Sequence, residues 1–458
     1  MSLLFGQRRG FLIAGFALAL VSVFVFSNLP MQQRIMVSIF VLTVFYWITE
    51  PIPLYVTGII AAFASGVLLG PMAKFTGAPP LDYQLFLYPF ASPVVVLMFG
   101  GFVMAEVFTR NYLDIEFCQL ILSRLGTRPS VVLFGMMLIT ALISMWMSNT
   151  ATTAIMVATV LPLVRALPAG TNLPRAMMLA IPFSANIGGI ATPIGTPPNA
   201  IAIGLLAEEG IHISFLGWMF AGFPLMIVML VVCFVLLRIF FPIREGHLKI
   251  DTQPETNVAN RTLVYTTFFC TIILWLTDVL HGIPSALIAL VPVLVFSIAG
   301  LLPKRRMREI PWDILLLIGG GLSLGAGIKQ TGLAETIVGS VFPAGMTPFG
   351  MLILMCGAIT LLATFMSNTA ASNIILPLVL SMAGALPAEM AIPVALCASF
   401  GMALPVSTPP NAIAYGSELI RGNDMFKVGV LISVIGILVT LVYQRALFEI
   451  LPSVFLGG

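Results

Sequence analysis

The chain has 458 residues, of which 59% are hydrophobic and only 9% charged, and its mean hydropathy is +1.08. In a soluble protein about a quarter of the residues are charged, so these values exclude a soluble enzyme. Long apolar runs, rather than short alternating segments, favour helices over a membrane β-barrel. The net charge of +3 does not indicate a nucleic-acid partner, and the five cysteines form no CxxC motif typical of a zinc site. We therefore expect an all-α polytopic membrane protein in a lipid bilayer.

Full-length spans are predicted from runs of apolar residues. In chain order they lie at about 11–29, 33–49, 53–70, 92–109, 215–241, 262–280, 284–302, 312–328 and 425–447. With two further interrupted segments, described below, the total is about 11 spans. Polar segments at 110–128 and 329–343 are expected to be amphipathic helices at the two membrane faces.

The distribution of cationic residues predicts the orientation. With the N-terminus in the cytoplasm, all but four of the 21 Lys and Arg residues fall on the cytoplasmic side. The four on the outer side are Arg34, Lys74, Lys329 and Arg445. The positive-inside rule therefore predicts a cytoplasmic N-terminus and an outer C-terminus, provided that 131–165 and 350–385 are re-entrant hairpins rather than single spans.

These two hairpins are predicted from length and from a polar centre. As one helix, the 34 residues of 131–164 would extend about 51 Å, well beyond the roughly 30 Å of the hydrocarbon core. A fold at Ser148–Thr150 gives two arms that meet near the membrane midplane. Residues 351–382 repeat the pattern around Ser367, Asn368 and Thr369.

The chain contains an internal repeat. Met-Ser-Asn-Thr-Ala occurs at 147–151 and again at 366–370, and Thr-Pro-Pro-Asn-Ala-Ile-Ala occurs at 196–202 and 408–414. Trp47-Ile-Thr-Glu50 is likewise echoed by Trp275-Leu-Thr-Asp278. In the predicted orientation the two hairpins enter from opposite sides, so the halves form an inverted repeat, which is typical of secondary transporters.

The Thr-Pro-Pro-Asn motifs predict interruptions of two helices. Adjacent prolines remove two N–H donors and disfavour helix in the preceding residue, so the chain should unwind within 191–199 and 403–411. Unwound backbone at membrane depth is tolerated only where it is buried in protein or lines a cavity. We therefore expect both unwound segments and both hairpin tips to surround one binding site.

The chemistry of these four segments favours ions over proton transfer. Their polar centres contain no Asp, Glu, Lys, Arg or His, which disfavours a proton relay or an intramembrane enzyme. Hydroxyl and carbonyl oxygens suit Na⁺, and the N–H groups at helix N-termini suit an anion. Two equivalent anion-receiving tips predict a molecule with two negative ends, such as a dicarboxylate, although sulfate also fits. An anion channel is a further alternative. Its flux would far exceed the turnover of a transporter and would not saturate with anion concentration.

The paired Ser-Asn-Thr tips, each followed by a Gly/Ser-Thr-Pro-Pro-Asn break, resemble the divalent anion/sodium symporter family over nearly the whole chain. The resemblance implies a homodimer with elevator-type alternating access and co-transport of sodium with a di- or tricarboxylate, without an organic cofactor. It implies scaffold segments at 1–130 and 262–345, transport segments at 131–242 and 346–458, and a cytoplasmic linker at 243–261.

The resemblance also implies site residues. Substrate would contact Asn149, Thr150, Thr196, Pro197, Ser367, Asn368, Thr369, Thr408 and Pro409. One sodium ion would be held by Ser144, Ser148, Asn149 and Gly195, and a second by Ala363, Met366, Asn368 and Ser407. Ala363 has no side-chain oxygen where the first repeat has Ser144, so Thr364 is an alternative ligand.

The sequence leaves alternatives open for the transported anion and for its coupling to sodium. Succinate, malate or fumarate is favoured by the resemblance, with citrate or sulfate as alternatives. A sodium-independent dicarboxylate exchanger is the other possibility, but neither tip carries a basic residue that could replace sodium. The expected location is the inner membrane of a bacterium.

Overall fold

The computed structural model describes residues 2–113, 116, 127–165, 167, 171–243, 260–341, 346–384 and 386–450. Throughout these residues the regular elements are helices, as the sequence predicts. In chain order they are α1 (Ser2–Val25), α2 (Met31–Thr49), α3 (Leu54–Leu68), α4 (Pro93–Arg110), α5 (Pro129–Ser144), α6 (Asn149–Arg165), α7 (Leu173–Gly189), α8 (Pro197–Glu208), α9 (Phe215–Phe240), α10 (Arg261–Leu276), α11 (Asp278–His281), α12 (Ser285–Ile288), α13 (Leu290–Ile298), α14 (Lys304–Met307), α15 (Trp312–Gln330), α16 (Leu333–Val341), α17 (Pro348–Phe365), α18 (Asn368–Met382), α19 (Pro387–Ala398), α20 (Pro409–Tyr415) and α21 (Gly422–Ile450). Short 3₁₀ turns at Pro71–Phe75, Tyr83–Phe86 and Tyr88–Ala91 join α3 to α4.

Seven described helices are long and apolar enough to cross a membrane: α1, α2, α4, α9, α15, α17 and α21. The predicted span 53–70 is the shorter helix α3, and two other predicted spans are interrupted. The segment 262–280 divides at Thr277 into α10 and α11, and 284–302 divides at Ala289 into α12 and α13. Pro292 has no N–H to donate to the carbonyl four residues earlier, which accounts for the second division.

Both predicted hairpins consist of two helices that change direction at Ser-Asn-Thr. The first hairpin consists of α5 and α6. Helix α5 ends at Ser144, residues 145–148 form the turn, and α6 begins at Asn149. The second hairpin is α17 and α18, which begins at Asn368. The Asn of each motif therefore opens the second arm.

Both predicted unwound segments are also present. The first break, residues 190–196, separates α7 from α8, and the second break, residues 399–408, separates α19 from α20. Pro197 and Pro409 each occupy the first helical position, where a missing N–H costs no helical hydrogen bond. Each Thr-Pro-Pro-Asn motif thus ends an unwound segment and starts a helix.

The two repeats pack across each other at these breaks. The helix after the first break, α8, packs against the second hairpin arm α18, and the helix after the second break, α20, packs against α6. Within each repeat the first hairpin arm packs against the helix before the break, α5 on α7 and α17 on α19. This exchange brings two hairpin tips and two breaks to a common centre.

Close helix packing at α3 and α15 supports this centre from one side. The glycines of α15 allow the approach: a Cβ on Gly320 would lie 2.5 Å from the Cα of Gly58, and one on Gly321 would overlap the Asn373 carboxamide of α18. The Gly-Gly-Gly run at 319–321 therefore serves helix packing, as expected for small residues at helix interfaces.

The predicted interfacial segments are described in part. Helix α4 continues to Arg110, but residues 114, 115 and 117–126 of the predicted segment 110–128 lie outside the described residues. Its counterpart at 329–343 contains α16, and Gln33 of α2 donates to the carbonyls of Thr331 and Gly332 at its start, both at 3.1 Å. The predicted linker 243–261 lies largely outside the described residues, which resume at 260.

Candidate binding site between the two repeats

A cavity of about 700 Å³ lies where the hairpin tips and the breaks meet. All nine residues predicted to contact substrate line it, namely Asn149, Thr150, Thr196, Pro197, Ser367, Asn368, Thr369, Thr408 and Pro409. Of the predicted sodium ligands, Ser148, Gly195, Met366 and Ser407 also line it, whereas Ser144 and Ala363 are fully buried beside it. The structure therefore brings the whole predicted set together, and binding by these residues stays a prediction.

Four residues of the first repeat bring oxygen atoms together behind the tip of the first hairpin. The Ser144 hydroxyl lies 2.6 Å from Asn149 Oδ1 and 2.8 Å from the carbonyl oxygen of Ala185. A Cβ on Gly189 would meet Asn149 Oδ1 at 2.7 Å and the carbonyl oxygen of Gly195 at 3.0 Å. The absence of a side chain at Gly189 therefore keeps a small space that is bordered by oxygens, which are the ligands of hard cations.

The second repeat has the same arrangement with one oxygen fewer. Ala363 occupies the position of Ser144, and the buried Asn368 Oδ1 has no hydrogen-bond partner within the described residues. Thr360 lies one helical turn before Ala363. Its hydroxyl donates to the carbonyl oxygen of Cys397 at 3.0 Å, and Cys397 is the counterpart of Ala185. The contact of Thr360 with α19 thus corresponds to the contact of Ser144 with α7. It leaves Asn368 Oδ1 without a hydrogen-bond partner among the described residues.

The alternative ligand Thr364 has its hydroxyl engaged within α17. The hydroxyl donates to the Thr360 carbonyl at 2.8 Å, and Thr364 is not among the residues that line the cavity, as is also true of Ser144 and Ala363. A hydroxyl that donates one hydrogen bond keeps its lone pairs for a cation, so Thr364 as an alternative sodium ligand stays a prediction.

The asparagines of the Thr-Pro-Pro-Asn motifs hold the unwound backbone in place. Asn199 Nδ2 donates to the carbonyls of Thr192 and Gly189, at 2.8 and 3.0 Å. Asn411 Nδ2 donates to those of Leu404 and Met402, at 2.9 and 2.8 Å. Unpaired backbone carbonyls in an apolar interior are costly, so these carboxamides stabilise both breaks. The motif was recognised in the sequence, but this role of its asparagine was missed.

Asn186 is a second residue that the sequence analysis missed. It is buried, it accepts from Asn149 Nδ2 at 3.5 Å, and its own Nδ2 donates to Thr408 Oγ1 at 3.2 Å. It therefore links the first hairpin tip to the second break. Its counterpart in the second repeat is Ala398, so comparison of the repeats gives no signal for it.

The walls of the cavity opposite the tips carry two acids. Glu50 follows α2 and Asp313 lies in the first turn of α15, and both are exposed at the cavity. The four interrupted segments are uncharged at their polar centres, as predicted. The cavity as a whole is nevertheless not uncharged, because Glu50 and Asp313 line it. No Lys, Arg or His is among the described residues that line the cavity.

The N-termini of three helices face this uncharged centre. Helices α6, α8 and α18 begin at Asn149, Pro197 and Asn368, all of which line the cavity. The positive end of each helix dipole, about half an elementary charge, favours an anion there, as free N–H groups do at other helix N-termini. The Ser148 hydroxyl accepts from the N–H of Ala151 at 3.2 Å and so uses one of these donors.

Paired hairpins and paired breaks around one shared cavity define a helical membrane transporter built from two repeats. The citrate transporter family, CitMHS, matches residues 44–386 and 343–455, and the chain belongs to this family.

Two relatives that are named as transporters agree with this assignment, which is that of a transporter and not of an enzyme. The chain is similar to the sodium-dependent dicarboxylate transporter SdcS of Staphylococcus aureus strain USA300, with 29% identity over 484 residues, covering 96% of this chain and 91% of the relative. The protein of the same name from strain MRSA252 is 28% identical over 493 residues, covering 98% and 92%. The resemblance to the divalent anion/sodium symporter family is thereby confirmed.

Two solved transporter structures share the fold at low sequence identity. The Alcanivorax borkumensis YdaH transporter has a TM-score of 0.59 and 12% identity, covering 87% of this chain and 98% of its own. Neisseria gonorrhoeae MtrF has a TM-score of 0.54 and 12% identity, covering 91% and 94%. At this identity the likeness concerns the fold alone.

Proposed function

We propose that the protein is a Na⁺-coupled symporter of a divalent organic anion, with a C4-dicarboxylate such as succinate, malate or fumarate as substrate. The observation that carries the proposal is the cavity itself. Two pseudo-equivalent tips, each with an Asn-Thr pair at a helix N-terminus, face one space with no cationic side chain among its described lining residues. Each tip suits one carboxylate, and co-transported sodium ions supply the balancing positive charge.

The sodium ions are proposed to bind beside the tips, at the edge of the cavity. Ser144, Asn149 and the Gly195 carbonyl offer the first set of oxygens, with Ser148 at the cavity edge. Asn368, Ser407 and the carbonyls of Ala363 and Met366 offer the second. A sodium ion there would strengthen the positive potential of the adjacent helix N-terminus, so that sodium binding and anion binding favour each other. This coupling is the basis of symport.

We further propose an elevator-type movement in a homodimer. Segments 131–242 and 346–458 would carry the site past scaffold segments 1–130 and 262–345. With the N-terminus in the cytoplasm, Glu50 and Asp313 lie at the cytoplasmic ends of α2 and α15, so the cavity opens inward in this conformation. The names of the S. aureus relatives support sodium and a dicarboxylate as ligands, and their source supports a bacterial inner membrane.

Uptake into sealed proteoliposomes tests the proposal. Labelled succinate should accumulate when an inward sodium gradient is imposed, and uptake should fall to the protein-free level when choline replaces sodium. Unchanged uptake in choline would refute coupling and support the sodium-independent exchanger. A competition panel of succinate, malate, fumarate, citrate and sulfate then identifies the substrate. The family description favours citrate as the second candidate, and citrate competing more strongly than succinate would establish it.

The tips are tested by charge. Asn149→Asp and Asn368→Asp keep side-chain size but place a carboxylate beside the bound anion. At about 4 Å and an effective dielectric constant of about 20, the repulsion is about 4 kcal/mol per charge pair, so succinate uptake should fall more than a hundredfold. Near-normal succinate affinity in both variants would refute the assignment of the tips.

A further inference from the structure

A short repeat outside the binding site has different contacts in its two copies. Trp47-Ile-Thr-Glu50 ends α2, and Trp275-Leu-Thr-Asp278 ends α10. Both tryptophans are fully buried, and each indole N–H donates to a backbone carbonyl of a later helix, Leu54 of α3 at 3.1 Å and Ser285 of α12 at 3.0 Å. The two tryptophans are therefore anchored alike, whereas the backbone at the acids differs: Glu50 follows α2 with φ +46°, and Asp278 is the first residue of α11.

Asp278 is engaged with the helix that follows the first break. Its Oδ2 accepts from the backbone N–H of Phe215, the first residue of α9, at 2.9 Å and from the Ser285 hydroxyl at 3.0 Å. Aromatic rings reinforce the contact: Phe215 stacks on Trp275 with ring centroids 4.8 Å apart, and on Trp146 of the first hairpin at 6.1 Å. In the proposed orientation this joins scaffold to transport segments at the outer, closed end.

Glu50 is not engaged. Its side chain is exposed at the cavity and makes no hydrogen bond or ion pair within the part of the chain that the structure describes. Its backbone has φ +46°, a left-handed conformation that is uncommon for a residue with a side chain. A partner for this carboxylate is therefore to be sought in the other conformation.

The repeat identifies that partner. Gly222 of α9 packs against Ile190 and Ala191 of the first break, and Gly429 of α21 packs against Met402 and Ala403 of the second. The two helices are thus equivalent, with Phe215 corresponding to Gly422.

The start of α21 already has one carboxylate beside it. Asp424 Oδ2, in the first turn, accepts from the N–H of Arg421 at 3.2 Å, whereas the N–H of Gly422 has no acceptor among the described residues and the Arg421 side chain is exposed. Both lie on the cytoplasmic side in the predicted orientation, as Glu50 does.

We propose that Glu50 latches the cavity shut in the alternate state: its carboxylate accepts from the N–H of Gly422 at the start of α21, next to Arg421, as Asp278 does at the start of α9 here. A carboxylate is favoured at a helix N-terminus by the free N–H groups and by the helix dipole. Gly422 leaves room where α9 has a phenyl ring. The two latches alternate, so each state has one carboxylate engaged and one free. This inference rests on the alternating access of the proposed function.

Cross-linking tests the latch. In a cysteine-free background that retains uptake, Glu50→Cys with Gly422→Cys should form a disulfide that blocks uptake until it is reduced. Asp278→Cys with Phe215→Cys is the matched control for the other end and should cross-link from the conformation described here. Failure of the first pair to cross-link, with and without sodium and succinate, while the control pair cross-links, would overturn the proposal.

Accessibility of the cavity gives a second test that does not need Gly422 to be changed. Val406 lines the cavity and is 73% exposed, so Val406→Cys reports opening on this side. Glu50→Gln should raise the labelling rate of Val406→Cys about two- to fivefold, because the closed state loses the stabilisation that one charge gives at a helix end. Asp278→Asn should lower the same labelling rate. Equal labelling with and without Glu50→Gln refutes the latch, whereas absent uptake by the unaltered protein refutes the proposed function.

Discussion

The substitution Ser144→Ala tests the proposed first sodium site at a residue that does not contact the cavity. Ser144 is fully buried, and its hydroxyl lies within 2.8 Å of both Asn149 Oδ1 and the Ala185 carbonyl oxygen. Its removal takes away one proposed sodium ligand and the donor that orients the Asn149 carboxamide. Sodium affinity should fall, and succinate affinity should fall with it at limiting sodium.

The expected size follows from the hydrogen bonds. Loss of one hydroxyl oxygen from an ion is comparable to loss of a hydrogen bond to a charged group, about 1.5–3 kcal/mol, and each 1.4 kcal/mol corresponds to a factor of about ten in affinity. The sodium concentration for half-maximal uptake should therefore rise about 10- to 100-fold. Saturating sodium should restore most of the maximal rate, because Asn149 and the tip remain.

Thr360→Val is the matched control. The Thr360 hydroxyl lies 3.0 Å from the Cys397 carbonyl oxygen, the equivalent tether in the second repeat, but it lies one helical turn before Ala363 and makes no hydrogen bond with Asn368 Oδ1. Thr360→Val should lower thermal stability as Ser144→Ala does, with half-saturating sodium unchanged within about twofold. Half-saturating sodium that is equally unchanged in Ser144→Ala would refute the first sodium site.

Three further substitutions probe the frame around the site. Asn199→Ala should lower the free energy of unfolding by at least about 2 kcal/mol, measured by thermal denaturation in detergent, because several buried carbonyls lose their donor; an unchanged melting temperature would contradict this role. Gly320→Ala should cost about 1–3 kcal/mol, since its Cβ would lie 2.5 Å from a backbone Cα of α3, whereas Gly357→Ala, with no neighbour within 4 Å, should be tolerated. Ala363→Ser should lower half-saturating sodium by about two- to tenfold by adding a hydroxyl oxygen beside Asn368 as a further ligand, and an unchanged value would argue against a sodium site there.

The sequence was most informative where backbone chemistry decides the structure. Adjacent prolines at 197–198 and 409–410 cannot continue a helix, and both breaks are where the motif predicts them. The excessive length of the two hairpin stretches likewise predicted their turns at Ser-Asn-Thr. The duplication made these predictions mutually supporting, and it brought all nine predicted substrate contacts to one cavity.

The missed features depend on packing between distant parts of the chain. Asn186 joins the first hairpin to the second break through partners 37 and 222 residues away, and no local pattern marks it. Thr360 substitutes for Ser144 from a different turn of its helix, so alignment of the repeats pairs it with Ala141 rather than with the residue it replaces. Glu50 reaches the cavity only because α2, α3 and α15 pack around it.

The positions at which the repeats agree and differ divide by role. The residues that set the backbone are duplicated: the Ser-Asn-Thr tips, the paired prolines, and the asparagines that support the breaks. Those that differ make contacts between the repeats, between the proposed scaffold and transport segments, or beside the proposed ions: Asn186 against Ala398, Phe215 against Gly422, and Ser144 against Ala363. A site with strict two-fold symmetry would bind two sodium ions alike and would be equally stable facing either side. These unequal pairs instead give the two proposed sodium sites different oxygen sets and the two ends of the molecule different contacts, so we expect the two ions to bind with different affinities and one resting state to be preferred.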